Sequence, residues 1–295
     1  MKQPDPPHGQ ETLLNSTDHR RDSANMTYVY PVISRRAGGV SVGINLNPNN
    51  ACNWRCIYCQ VPDLTRGTAP AIDLIQLEAE LRRLLHDLVH GDFMSRRVPV
   101  EARRIVDIAF SGNGEPTSAR EFAEAVRIAQ CLRDEFQPTA HLRLITNGSL
   151  IERTTVQTGL ARLAAANGEV WFKLDAGTQS GIQRINGVDL DPASISRRLR
   201  ICAALCNTWV QTCCFSLDGL APSETEIAAW LHLLKQSQPA QKNHESGKLI
   251  GVHLYGLARP SLQTETPRLG RLPADWLEAL AQRVRQLGLD AHVSP

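Results

Sequence analysis

Cys52, Cys56 and Cys59 stand in a C-x₃-C-x₂-C spacing within NACNWRCIYCQVP, residues 50–62. Thiolates gathered at such short intervals suit zinc or an iron–sulfur cluster. A structural zinc site takes four ligands, and no second pair at finger spacing follows in this chain. A [4Fe–4S] cluster has four irons and ordinarily four thiolates. Three thiolates leave one iron open to an exogenous ligand, as a catalytic metal keeps one position open. A zinc knuckle completed by a distant histidine, in a non-catalytic metal-binding module, would use the same three thiols.

Further stretches carry groups fit for chemistry. IAFSGNGEPT, residues 108–117, sets Gly112, Gly114 and Glu115 in a turn; glycines let backbone approach a ligand closely, and Glu115 can accept from an ammonium group. LITNGSL, residues 144–150, offers Asn147, which equally suits a plain Asn-Gly turn. WFKLDAG, residues 171–177, places Lys173 and Asp175 two apart, on one face of a strand. They form either a structural ion pair or a catalytic couple, with the lysine as acid, base, Schiff-base amine or ligand-binding cation. In VHLYGLARP, residues 252–260, Tyr255 and Arg259 can face a substrate, arginine being suited to carboxylate or phosphate. Cys202, Cys206, Cys213 and Cys214 raise the question of a second cluster. Adjacent cysteines on a strand point to opposite faces, which disfavours one.

Strand and helix patterns alternate to hold these groups. Strands are expected at Val42–Asn47, Ile105–Ser111, His141–Thr146, Val170–Asp175, Thr208–Phe215 and Lys248–Tyr255. Helices are expected at Ile72–Val89, Ala119–Phe136, Thr154–Ala166, Ser194–Cys206, Glu224–Gln236 and Ala274–Leu287. Such alternation implies a parallel sheet. One face of the strands is apolar; the other carries Asn45 and Asn47, then Lys173 and Asp175, then His253 and Tyr255. A doubly wound sheet is apolar on both faces. A barrel can turn its polar face into a lumen, with chemistry on the loops at the strand C-termini. The expected fold is α/β, a partial (β/α)₆ TIM-type barrel over residues 28–295, preceded by a polar, disordered tail over residues 1–27.

Composition fits that scheme. The chain has 295 residues, 42% hydrophobic, with a net charge of +2. Its arginine pairs, Arg35-Arg36, Arg96-Arg97, Arg103-Arg104 and Arg197-Arg198, permit nucleic-acid contact without arguing for it. No apolar run approaches a membrane span, and MKQPDPPHGQ lacks a secretory apolar region. A cytoplasmic protein that touches no membrane is expected. There a cysteine cluster means metal or catalysis rather than a disulfide framework.

C-x₃-C-x₂-C with Tyr58 before its last cysteine, followed by the Gly112–Glu115 turn and Thr146-Asn147-Gly148, resembles the signature of the radical S-adenosylmethionine (radical SAM) enzymes. Asn113 stands where their Gly-Gly-Glu motif has its second glycine. The resemblance implies a [4Fe–4S] cluster on Cys52, Cys56 and Cys59, with S-adenosylmethionine on the open iron. It also implies contacts to that cofactor from Tyr58, Gly112, Gly114, Glu115 and Asn147. One electron would cleave the sulfonium, and the 5′-deoxyadenosyl radical would take hydrogen from a substrate. A one-electron reductant such as a flavodoxin or ferredoxin would be a partner. The order of these stretches, from YPVISRRAGGVSVGINLNPNN to LYGLARP, is similar to Fe–S oxidoreductases related to the wyosine-base-forming tRNA enzyme, over about residues 28–260. No cysteine precedes Cys52, where the archaeal tRNA enzyme has extra ones for a second cluster. The substrate class stays open between small molecule, peptide and RNA.

Overall fold

The computed structural model describes residues 13–15, 24–34, 38–238 and 247–295. Most of the expected tail, and the Arg35-Arg36 pair, lie outside the described residues. Within the tail span, Leu14 is buried and its N–H donates to the Arg97 carbonyl at 2.8 Å. Thr27 and Tyr28 donate their N–H groups to the Glu80 carboxylate.

Eight strands form the main sheet: β1 (Val29–Ser34), β2 (Gly39–Ile44), β3 (Ile105–Phe110), β4 (His141–Thr146), β5 (Glu169–Lys173), β6 (Asn207–Cys213), β7 (Leu249–Tyr255) and β8 (Asp290–Ser294). Their spatial order follows chain order. β1 runs antiparallel to β2, and every other neighbour is parallel. A doubly wound sheet reverses its order at a switch point. This one never reverses, so the sheet winds in one direction and curls into an incomplete barrel. The six expected strands are present. β1 and β8 are additional, one at each end of the order.

Among the described residues, seven helices of eight residues or more flank the sheet: α1 (Leu74–His90), α2 (Phe122–Phe136), α3 (Thr154–Ala165), α4 (Gln179–Asn186), α5 (Pro192–Leu205), α6 (Glu224–Ser237) and α7 (Ala274–Arg285). Side-chain caps start several of them: Asp73 accepts from Ile75 and Gln76, Asp191 from Ala193, and Ser223 from Glu226. The outward strand residues Ile44, Ile108, Phe110, Leu142, Leu144, Val170, Phe172, Val210, Val252 and Leu254 are all buried. They pack in one core with Leu77, Leu81 and Leu85 of α1 and Phe122 of α2. The apolar face expected from alternation is therefore the helix-covered face. None of the helices among the described residues is long and apolar enough to cross a membrane.

The opposite face lines the lumen, and its N-terminal half is filled. Asp107, 2% exposed, accepts from Ser41 Oγ and pairs with Arg143. Arg143 Nε also reaches Glu169 at 2.5 Å, and Trp171 Nε1 donates to the same carboxylate at 3.0 Å. Beyond them the His253 ring stacks on Trp209 and meets Trp171 at a tilt, with centroids 4.5 and 4.7 Å apart. Burial works against the Arg143 charge, but Asp107 and Glu169 hold the guanidinium protonated. Removing one partner of a buried pair strands the other and costs about 3–5 kcal/mol. Arg143→Ala is accordingly expected to lower the urea midpoint by that order; an unchanged midpoint would show that this plug does not stabilise the barrel.

Candidate active site at the cysteine loop

The loop after β2 is built by side chains that replace the sheet's backbone ladder. Asn45 and Asn47, expected as the end of a strand, lie beyond it. Asn45 Oδ1 accepts from the N–H groups of Asn47 (3.0 Å) and Asn113 (3.1 Å). Asn47 Nδ2 donates to the Ala51 carbonyl at 2.9 Å. The last carbonyls of any helix lack internal partners. Here two at the end of α4 serve the loop, Asn186 accepting from Arg55 N–H (3.0 Å) and Ile185 from Ile57 N–H (2.9 Å). Arg66 reaches the carbonyls of Asn53 and Gly187. From the other side, Ser261 Oγ donates to the carbonyls of Ile57 (2.8 Å) and Cys59 (3.0 Å), and Arg55 pairs with Glu265 at 2.9 Å.

Cys52, Cys56 and Cys59 all line one cavity of about 320 Å³ at the C-terminal end of the barrel. Tyr58, Gly112, Gly114, Glu115, Asn147 and Lys173 line it as well. Asp175 does not. Among the described residues no three His, Cys, Asp or Glu side chains converge as they would on a single ion. Three thiols on one cavity suit a multi-iron group that leaves one iron for an exogenous ligand. Burial pushes the Cys52 thiol up to about 11 and the Cys56 thiol up to about 12. Metal binding there displaces a proton from each.

The glycine turn presses on the base of the loop. Gly112 has φ 144°, and a Cβ there would stand 2.4 Å from Asn45 Oδ1. At Gly114 it would stand 2.1 Å from the Ala51 carbonyl oxygen. Asn113, the departure from two glycines, sends Nδ2 to Asn50 Oδ1 at 2.6 Å and so adds a tie to the loop. Glu115 is buried, and four protein donors point at its carboxylate, three of them at Oε1. Oε1 accepts from Thr117 N (3.1 Å), Thr117 Oγ1 (2.5 Å) and Thr146 Oγ1 (2.6 Å), and Oε2 from Asn147 N (2.7 Å). Burial raises its pKa, and these donors oppose the rise. Asn147 Nδ2 bridges to Asn53 of the cysteine loop at 2.8 Å, while Oδ1 accepts from Ser149.

Behind Tyr58 lies a polar knot. Asp175, with its side chain fully buried, accepts from Tyr58 OH and from Asn186 Nδ2 (2.9 Å) on Oδ2. Its Oδ1 accepts from Cys213 N–H at 3.0 Å. Asn186 Nδ2 also donates to Cys56 Sγ at 3.3 Å. Lys173 Nζ donates to Tyr255 OH at 2.9 Å, lies 4.0 Å from Asp175 Oδ1 and sits 4.9 Å from the Tyr58 ring centre. Burial alone would lower the Lys173 pKa, but Asp175, then Tyr255 and Cys56, raise it above its ordinary value. The ammonium is therefore charged at neutral pH. Burial, and next the Asp175 charge, holds the Tyr58 phenol neutral.

Tyr255 and Arg259 also line the cavity, Arg259 with its carbonyl held by Gln60 Nε2 at 3.2 Å. Cys213 does too, but Cys202, Cys206 and Cys214 are buried elsewhere, at Thr208, the Gly168 carbonyl and the Thr212 carbonyl. Asn186, Ser261 and Glu226 were not singled out by sequence. Glu226 accepts from the N–H groups of Gly177 and Thr178, pinning the turn after Asp175. The overlooked α4 does carry its signals: Thr178 caps it by accepting from Gly181, and Gly187 leaves it with φ 66°.

Residues 46–220 match the family described as the Radical SAM superfamily. Among curated proteins, "GTPase Obg" of Brachyspira hyodysenteriae is 24% identical over 148 residues, 50% of this chain. "UPF0026 protein MJ1312" of Methanocaldococcus jannaschii is 29% identical over 156 residues, 53% of this chain. The chain spans 19% and 42% of the lengths of these two relatives. The cobalamin-dependent S-adenosylmethionine radical enzyme OxsB, solved with aqua-cobalamin and S-adenosylmethionine bound, is similar with TM-score 0.45 at 13% identity, covering 69% of this chain and 28% of that one. Its form with aqua-cobalamin alone gives TM-score 0.43 at 14% identity, over 65% of this chain and 26% of that one.

Proposed function

The chain belongs to the radical SAM superfamily, whose members carry a [4Fe–4S] cluster and bind S-adenosylmethionine, and from that premise we propose that Cys52, Cys56 and Cys59 hold the cluster of an enzyme acting on a small anionic molecule. The observation that carries this is the meeting of all three cysteines, the Gly112–Glu115 turn and Lys173 on one cavity. When bound and reduced, the cluster would supply the electron for cleaving S-adenosylmethionine, and with it the hydrogen-abstracting radical chemistry of the family. The turn lets backbone come close to the cofactor's amino group, and Glu115 holds that turn against Asn147. Asp175 is a positioning group that fixes Tyr58 and Asn186. Lys173 offers a fixed positive charge, with Tyr255 occupying one of its three N–H donors. Such a charge suits a carboxylate or phosphate and is ill suited to Schiff-base chemistry, which needs the neutral amine.

Two features favour a small substrate over RNA. Lys173, Tyr255 and Arg259 wall one cavity, and the Ser261–Glu265 segment is tied across its cysteine side. The Arg103-Arg104 pair enters β3 at the opposite end of the barrel, where Arg104 Nε donates to the Gly38 carbonyl at 3.1 Å. Kinship with the wyosine-related oxidoreductases rests on the shared order of motifs and is compatible with this substrate class. A flavodoxin or ferredoxin would deliver the electron.

The test is anaerobic. Protein loaded with iron and sulfide, reduced and given S-adenosylmethionine is expected to form 5′-deoxyadenosine, read by mass. Uptake of zinc in place of iron would sink the proposal. Tight RNA binding that weakens steeply with added salt would restore tRNA as the substrate.

A further inference from the structure

Asn186 is 1% exposed and sits at the C-terminal end of α4, 130 positions from Cys56 in sequence. A primary amide nitrogen carries two hydrogens. Here one points to Asp175 Oδ2 at 2.9 Å and the other to Cys56 Sγ at 3.3 Å. Both partners are acceptors when Cys56 is a thiolate. A flipped amide would set its oxygen against a carboxylate and a sulfur, so the orientation is determined by its surroundings. The backbone is held as well, because the Asn186 carbonyl accepts from Arg55 N–H at 3.0 Å. The amide cannot swing away from the sulfur without breaking the Asp175 bond.

We propose that Asn186 is a positioning residue that sets the reduction potential of the cluster through its N–H···S bond to Cys56. This rests on the assignment of Cys56 as a cluster ligand. Reduction adds one electron from a one-electron donor, and no bond in the protein forms or breaks. The added negative charge spreads onto the thiolate sulfurs, where an aimed N–H stabilises the reduced state more than the oxidised one. Hydrogen bonds to the sulfurs are among the protein's levers on such potentials, and burial strengthens this one by lowering the local dielectric. Asp175 orients the amide and does not touch the sulfur. Trp54 N–H, 3.5 Å from Cys52 Sγ, supplies a weaker bond of the same kind from the backbone.

The experiment is a redox titration followed by electron paramagnetic resonance, on the reconstituted protein without S-adenosylmethionine. Wild type is compared with Asn186→Leu, which keeps the volume, and Asn186→Ala, after iron and sulfide contents are matched. Both variants are expected to have more negative midpoints. At the potential where wild type is half reduced, their reduced-to-oxidised ratio should be about tenfold lower, which is about 59 mV for a one-electron couple. Matched clusters with an unmoved or more positive midpoint would overturn the proposal. So would failure of both variants to hold a cluster, which would make Asn186 an assembly residue. A wild-type protein that takes up no cluster overturns the ligand assignment itself, whereas a normal wild-type cluster with unmoved variants overturns the role of Asn186 alone.

Discussion

Cys56→Ala is expected to reduce 5′-deoxyadenosine formation to background and to leave the protein with little bound iron. Three thiolates are the minimum that leaves a single iron open, and the substitution leaves only Cys52 and Cys59. The substitution also strands the Asn186 amide hydrogen that the sulfur accepts. The fold should survive, since Cys56 is a half-buried small side chain at the edge of the core, and an ordinary point substitution costs about 1 kcal/mol. Iron and sulfide analysis beside a urea titration separates the two effects. Cys56→Ser is expected to behave nearly as badly, because a hydroxyl is a much poorer ligand for this soft site. Full product formation by Cys56→Ala would remove the cysteine loop from the chemistry.

Glu115→Gln is expected to destabilise the protein by about 3 kcal/mol although the side chain keeps its shape. Every contact of the Glu115 carboxylate is with a donor. Gln must place an NH₂ on one side or the other. Toward Asn147 it meets a backbone N–H; toward Thr117 and Thr146 it meets the Thr117 N–H and two hydroxyls that must turn to accept. A buried donor left unpaired costs about 1–3 kcal/mol, and charge-assisted bonds are lost besides. Glu115→Ala should cost more, a large share of the ~5–15 kcal/mol that holds a domain folded. The expected readout is a lower urea midpoint at unchanged slope, with weaker binding of S-adenosylmethionine because the turn and Asn147 part. A midpoint equal to wild type would show that the carboxylate is protonated in place and already donates.

The barrel and its site were legible to different depths. Alternation revealed the six inner strands because each buries one face under a helix. β1 escaped because Pro31 interrupts VYPVIS; proline is tolerated there since the strand lies at the edge of the sheet. β8 escaped because DAHVS has no apolar stripe, only a period of two in a short run. Alternation sets the first strand three residues late, at Val42–Asn47 instead of Gly39–Ile44, because Asn45 and Asn47 continue the pattern while turning to the loop. The cysteine, glycine and Asn147 stretches stand out because each is local in sequence, and the structure brings them onto one cavity. Lys173 and Asp175 pair as alternation expects, 4.0 Å apart, but β5 ends at Lys173 and Asp175 sits behind Tyr58, off the cavity wall. Asn186 and Ser261 were invisible because their partners are 130 and 204 positions away, and no spacing rule reaches that far.

Strand order that follows chain order has a consequence for the life of the nascent chain. Each new strand from β2 to β8 pairs with the one just made, so the scaffold can grow as it leaves the ribosome, at roughly 5–20 residues per second. The mouth obeys another schedule. Ser261 and Glu265 close on Ile57 and Arg55 across 204 and 210 positions. The cysteine loop therefore stays unclasped until Ser261 and Glu265 have emerged, after β7 and before β8, so a cluster inserted earlier would enter a loop that lacks these ties.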